Sequence, residues 1–392
     1  MRIPITKPYI GKKEIYQISK VIQSGWVTQG PEVEAFENEF KIFVNAKYAV
    51  AVSSCTTGLH LALKAVGVKE NDEVITVSQS FIATANSIRF CGAVPVFVDV
   101  EPGTYNLDPE LIERVISKKT KAILCVHQIG MPCDINRIVK ISKKYKIPLI
   151  EDAACAIGSE IKYNKKWEKI GKPHGDIACF SFHPRKIITT GDGGMITTNN
   201  AEFAKMIRLW RHHSMSVSDK KRHSSKNIIF EEYLELGYNF RMTDIQAAMG
   251  RVQLRRLKKI ISKRRDLAEH YFDLFKDNER INLPYEPDWA KSNWQSFCIR
   301  LSSELNQKKI MQKLLDMGIA TKRGIMCAHL EPAYMNEPWH TGNSIQDSGK
   351  LVESHTARDS TILIPFFPQL KKREQRYIAE QIIQVTKDKN NC

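Results

Sequence analysis

The chain has 392 residues, with 59 Lys and Arg against 43 Asp and Glu, for a formal charge of +16 at pH 7. Hydrophobic residues make up 42% and charged residues 26%, a globular balance that excludes extended disorder, and no run of about 18 apolar residues is present to span a membrane. Nine cysteines without a CxxC pair, and a start Met1–Pro8 without an apolar core, predict free thiols in a reducing cytoplasm rather than disulfides, a metal site or export.

Two helical segments come first, Lys12–Ser24 and Pro31–Val44. β-prone runs then alternate with helices: strand Tyr48–Val52, helix Thr57–Val66, strand Glu73–Val77, helix Ile82–Cys91 and strand Val94–Val98. Helix Pro109–Ile116, strand Lys121–Val126, helix Ile135–Tyr145 and strand Pro148–Glu151 continue the series. This alternation predicts an α/β fold with a mostly parallel central sheet flanked by helices. Such sheets hold ligands beyond the carboxyl ends of their strands. Two more strands flank a turn between Ile177 and Thr198, and a helix Ala201–Arg211 follows. His212 to Phe230 is polar with weak periodicity and reads as a long loop, either an active-site lid or a mobile excursion.

Arg251 to Arg265 is the densest basic run, yet Leu254, Leu257 and Ile261 recur in it at helical spacing. A solvated helix face is favoured over a nucleic-acid surface, since no zinc-finger, homeodomain-like or RNP-type signature accompanies it. Beyond it the elements are fewer: strand Trp294–Leu301, helix Lys308–Met317, strand Thr361–Ile364 and helix Lys372–Val385. They form a smaller α+β domain. The boundary falls near Lys258–His270, dividing the chain into residues 1–258 and 259–392, with a polar tail from Lys387 to Cys392.

Lys186 sits after the β-prone run Ile177–Phe182 and before the glycine-rich turn Gly191–Gly194. A lysine amine can form a Schiff base with an aldehyde cofactor, and pyridoxal phosphate is the commonest such group. Upstream, the apolar strand Pro148–Glu151 delivers Asp152, and an aspartate facing the pyridine nitrogen keeps it protonated. Ser53–Leu59 ends a strand and opens a helix, where hydroxyls and backbone amides can converge on a phosphate. Taken alone, each has an ordinary alternative: a surface lysine, a strand end, a helix cap.

Together with Ser24–Pro31 and Leu236–Asp244, these motifs resemble the DegT/StrS-type nucleotide-sugar aminotransferases, in order at five places between about Pro8 and Pro368. The resemblance implies the aspartate-aminotransferase (type I) fold and pyridoxal 5'-phosphate, with pyridoxamine 5'-phosphate as intermediate. It implies that Lys186 holds the resting cofactor as an internal aldimine and, once freed, acts as general base. Asp152 becomes the pyridinium partner, Thr56, Thr57 and Ser181 phosphate ligands, and Phe81 a ring stacked on the cofactor. Asn239 reaches the phosphate in a neighbouring subunit, so the implied partner is a second copy in a homodimer with shared active sites. Trp26, Thr28, His183, Arg185, Arg241 and His329 are candidates for the sugar, its phosphates or closure over them.

Two positions depart from the family pattern: Cys55 stands for the usual glycine, and Cys155 for a Gln or His that touches the cofactor's phenolic oxygen. Related proteins with histidine at the lysine position dehydrate instead, so Lys186 favours transamination. The implied reaction converts a nucleotide-linked keto-hexose to the amino-sugar with L-glutamate as donor, without nucleic acid or membrane. Amination of a cyclitol or other cyclic keto substrate is the alternative enzyme, and a regulatory nucleic-acid-binding relative the alternative class.

Overall fold

The computed structural model describes residues 2–217, 222, 225–342 and 347–388. Residues 218–221 and 223–224, within the stretch read as a lid or excursion, and the tail from 389 onward lie outside the described residues. The first half runs α1 (Lys12–Ser24), α2 (Pro31–Val44), β1 (Tyr48–Val52), α3 (Cys55–Ala65), β2 (Glu73–Val77), α4 (Ala83–Arg89) and β3 (Val94–Val98). It continues α5 (Pro109–Val115), β4 (Thr120–Val126), α6 (Ile135–Tyr145), β5 (Leu149–Asp152), β6 (Glu160–Tyr163), β7 (Lys166–Lys169), β8 (Ile177–Ser181), β9 (Gly194–Thr198) and α7 (Ala201–Trp210). The second half comprises α8 (Asp244–Phe275), β10 (Ile281–Asn282), β11 (Ala290–Lys291), β12 (Phe297–Leu301), α9 (Gln307–Asp316), β13 (Lys322–Arg323), α10 (Val352–Ser360), β14 (Thr361–Ile364) and α11 (Lys372–Lys387).

The central sheet has the order β1-β9-β8-β5-β4-β2-β3. Its pairs from β8 through β5, β4 and β2 to β3 are parallel, and β9 alone runs against its neighbours β1 and β8. Successive strand residues face opposite sides, so each strand feeds two cores. Ala49, Ala51, Ile75, Val77, Ile123 and Cys125 pack with α2, α6 and the first half of α8. Val50, Val52, Val74, Ala122 and Leu124 pack with α3, α4 and α7 on the other side. This is the mostly parallel, helix-flanked α/β sheet that the alternation predicts.

A third core joins the second half of α8 (Leu267, Ala268, Tyr271, Phe275) to β12, β14, α9 and α11. Its sheet, β10-β12-β14-β13, is antiparallel throughout. α8 is one continuous helix through the 258/259 division and serves both cores. The strand expected from Trp294 starts only at Phe297, because Trp294 adopts a left-handed backbone, φ 50°.

The basic run on α8 is a solvated face only in part: Arg255, Lys258 and Lys259 are exposed, while Arg264 is buried and several of its arginines are paired. Arg251 pairs with Glu32 and Glu39, Arg255 with Glu39 and Arg256 with Glu14, tying α8 to α1 and α2. Arg264 is buried and donates to the carbonyls of Trp294 and Gln295, both at 3.0 Å. Arg265 pairs with Glu286 at 2.9 Å. Among the described residues no helix is long and apolar enough to cross a membrane.

Candidate active site

The parallel strands all point their carboxyl ends to one edge of the sheet, and a cleft of about 340 Å³ opens there. β1 ends before Ser54, Cys55 and Thr56, β2 before Ser80 and Phe81, and β4 before His127, Gln128 and Ile129. β5 delivers Asp152, and β8 delivers Ser181 with His183, Arg185 and Lys186 behind it. Because β9 is antiparallel, its amino end brings Asp192 and Gly193 to the same edge. The opposite wall comes from the antiparallel sheet: Gln295, Ser296, Lys322, Gly324–Met326 and Leu363. A Cβ on Gly194 would lie 2.7 Å from the Ser54 carbonyl, so only glycine lets β9 pair with β1 beside the start of α3.

Asp152 is 4% exposed. Its Oδ2 accepts from the Thr84 hydroxyl at 2.8 Å and its Oδ1 from the Ala154 N–H at 3.1 Å. Since Thr84 donates to the carboxylate, it accepts from Ser80, whose hydroxyl is also 2.8 Å away. Burial pushes the Asp152 carboxyl up, against the opposing pull of Thr84, the Ala154 amide and Lys186. A carboxylate held this way favours a cationic or N–H partner. Glu151 points to the other face, where it accepts from the His174 and Gly175 amides, both at 3.1 Å, and meets His127 Nε2 at 3.1 Å.

Lys186 directs Nζ to the Cys155 sulfur at 3.0 Å. Burial works against its charge, but the Cys155 sulfur and the Asp152 carboxylate outweigh it and raise the ammonium above its usual value. The Cys155 carbonyl and the Ile157 carbonyl are held by Asn293 Nδ2 at 2.8 and 2.9 Å. Cys55 fits without strain as the first residue of α3, with Ser54 as extended N-cap.

Of the residues singled out in the sequence, Thr56, Phe81, Asp152, Ser181, His183, Arg185 and Lys186 meet in this one cleft. Phe81 stands at its rim, 66% exposed. The others lie elsewhere. Thr57 turns its hydroxyl into the α3 cap, donating to the Ser54 carbonyl at 2.8 Å, and does not line the cleft. His329 is buried away from it, with Nδ1 2.5 Å from the Ser78 hydroxyl and Nε2 2.8 Å from His355 Nε2. Burial, then His355 and Arg358, depress its pKa to about 4. Trp26 donates to the Gln29 carbonyl at 3.2 Å, the Thr28 carbonyl accepts from the Asp244 N–H at 3.0 Å, Arg241 meets His212, and Asn239 is exposed. None of these four lines the cleft of its own chain.

The structure adds residues that local patterns did not reveal. Thr84, three positions after Phe81, orients Asp152, and Gln295 donates to the Arg185 carbonyl at 2.7 Å. Lys322 enters the cleft from the start of β13, seven positions before His329. Among the described residues no cluster of His, Cys, Asp and Glu could hold a metal.

Residues 8–383 match the DegT/DnrJ/EryC1/StrS aminotransferase family. The chain belongs to that family. It is 33% identical over 389 residues to SpsC of Bacillus subtilis, a spore coat polysaccharide biosynthesis protein, covering 98% of this chain and 97% of that one. Among solved structures, Spr1654 of Streptococcus pneumoniae, a candidate sugar aminotransferase known in PMP and PLP forms, superposes with a TM-score of 0.90 at 26% identity over 98% of this chain and 99% of that one. PseC of Helicobacter pylori, an aminotransferase of pseudoaminic acid biosynthesis, gives 0.89 at 26% identity over 99% and 100%. The protein is a pyridoxal-phosphate-dependent aminotransferase of the sugar aminotransferase family. The cleft's donor set fits that cofactor: an amine, a buried carboxylate, and hydroxyls at the start of an eleven-residue helix, where amides and dipole favour a phosphate.

Proposed function

We propose that this chain transfers the amino group of L-glutamate to a nucleotide-linked keto-hexose. The observation that carries the reading is the convergence of Lys186 and Asp152 in a cleft beside the amino end of α3. Bound there, pyridoxal phosphate supplies an aldehyde for the donor amine and an electron sink for the substrate carbon. Lys186 Nζ would hold that aldehyde, and its free amine would carry a proton to or from the substrate carbon. Asp152 keeps the pyridine nitrogen protonated, held in aim by Thr84 and the Ala154 amide. Ser54, Thr56, Ser181 and the first amides of α3, which line the cleft, would hold the phosphate, and Phe81 at its rim would cover one face of the ring. Cys155, 3.0 Å from Lys186 Nζ, would stand near the phenolic oxygen, where a thiol donates only weakly.

A second copy completes the site in this reading, with Asn239 of each chain reaching the partner's cofactor phosphate. The exposed position of Asn239 outside its own cleft supports this. The test is to supply purified protein with nucleotide-linked keto-hexoses and L-glutamate, and to follow 2-oxoglutarate and amino-sugar. Turnover and a visible cofactor absorption band are expected, with both lost in Lys186→Ala. Normal turnover by Lys186→Ala refutes the role of the lysine. Amination of a keto-cyclitol but of no nucleotide-sugar replaces the substrate.

A further inference from the structure

Resting on that transaminase reading, we infer that Lys322 and Arg185 together seat the α-carboxylate of the amino donor. The two side chains line the cleft from opposite walls, Arg185 from the loop after β8 and Lys322 from the start of β13. β13 is fixed by its register with β14, Lys322 opposite Leu363, another residue of the same wall. The Arg185 backbone is fixed too, through Gln295 Nε2 on its carbonyl at 2.7 Å. Arg264 in turn anchors the Gln295 carbonyl at 3.0 Å. Two cations on rigid supports therefore face one space.

Other cations of this region are already occupied. Arg323 pairs with Glu331 at 3.3 Å, Arg300 with Glu353 at 2.6 Å and Arg265 with Glu286 at 2.9 Å. Among the described residues no hydrogen bond or ion pair reaches the ammonium of Lys322 or the guanidinium of Arg185; Arg185 stands next to Lys186 on one wall, and Lys322 meets the charge of both from the other. Lys322 is exposed at the mouth of the cleft, yet the desolvation it meets there, then the charges of Arg185, Lys186 and Arg323, hold its pKa below that of an ordinary lysine. An anion between them relieves that repulsion.

Geometry within the substrates selects the anion. The donor's α-carboxylate is one bond from the carbon that reacts beside Lys186. The diphosphate of a nucleotide-sugar is separated from a ring carbonyl by several bonds across the hexose. Cations grouped within the reach of Lys186 therefore suit the carboxylate. A planar guanidinium and an ammonium from two directions can also fix the α-carbon's orientation toward the Lys186 amine.

The experiment uses the holoenzyme and separates the two half-reactions by single-turnover absorbance. Lys322→Gln is expected to lower kcat/KM for the glutamate half by about tenfold to a hundredfold. That loss should exceed any loss in the keto-sugar half by at least tenfold, and Lys322→Arg should restore the glutamate half to within about threefold of the original. Equal losses in both halves, or a larger loss in the sugar half, overturn the proposal. Calorimetry with maleate, a non-reacting dicarboxylate, reads the seat without turnover. Maleate affinity should fall about tenfold or more in Lys322→Gln, with inorganic phosphate affinity affected less. No maleate binding by the original holoenzyme, unaltered binding by the variant, or a loss of phosphate affinity alone each overturns the carboxylate seat. If maleate binds as expected but no amino acid is turned over, the transaminase reading fails while the anion seat stands.

Discussion

Thr84 controls how Asp152 is presented. The Ser80–Thr84–Asp152 chain is buried, and each link is 2.8 Å. Replacing Thr84 with Val keeps the shape of the side chain but leaves Oδ2 of a buried carboxylate without its donor, a loss of about 1–3 kcal/mol. The carboxyl then rises further in pKa, since burial already pushes it up and Thr84 is the largest opposing influence. Thr84→Val is therefore expected to slow turnover about tenfold or more with the fold unaltered. Asp152→Asn should slow it far more, because in the proposed mechanism no carboxylate would then keep the pyridine nitrogen protonated. Circular dichroism and kcat measure the two effects. Turnover at the original rate in Thr84→Val would show that Asp152 keeps its aim without the hydroxyl.

At the scale of elements, α2 is tied to the sheet by one buried acid. Glu37 accepts from the Ala51 N–H at 2.9 Å, from Arg208 at 2.9 Å and from Arg211 at 2.5 Å. Truncation to Ala strands the buried Arg211 guanidinium and the Ala51 amide, so Glu37→Ala should lose about 3–5 kcal/mol in urea unfolding. A loss below about 1 kcal/mol would mean that water or a neighbour replaces Glu37. Helix and strand positions were legible in the sequence because period and burial coincide: alternate residues of β1, β2 and β4 face two different cores. The Lys186 and Asp152 motifs were legible because strand ends converge on one edge of a parallel sheet. Thr84, Gln295 and Lys322 were not, since their roles arise from contacts 68 or more residues away or from a facing wall. Two-residue strands such as β10, β11 and β13 carry no period, and the structural duty of the α8 arginines depends on acids in α1 and α2.

At the scale of the whole molecule, one surface calls for a partner. Ile228, Phe230 and Leu236 are each 88% exposed, and Tyr233 and Leu234 about 60%. Apolar side chains so concentrated along one segment favour burial against another surface. Asn239 follows directly, exposed and outside its own cleft, where Asp152 and Lys186 lie. We propose that a second copy covers this segment and that each cleft receives Asn239 from the partner. Asn239→Ala should then weaken cofactor retention, since a charge-assisted hydrogen bond to phosphate contributes about 1.5–3 kcal/mol. The decisive measurement mixes Lys186→Ala chains with Asn239→Ala chains under exchanging conditions. With shared clefts, each mixed dimer carries one cleft with both defects and one with neither, so activity should rise above both parents. A dimer verified as mixed that shows no recovery, or a single chain fully active at assay concentration, would rule out the shared site.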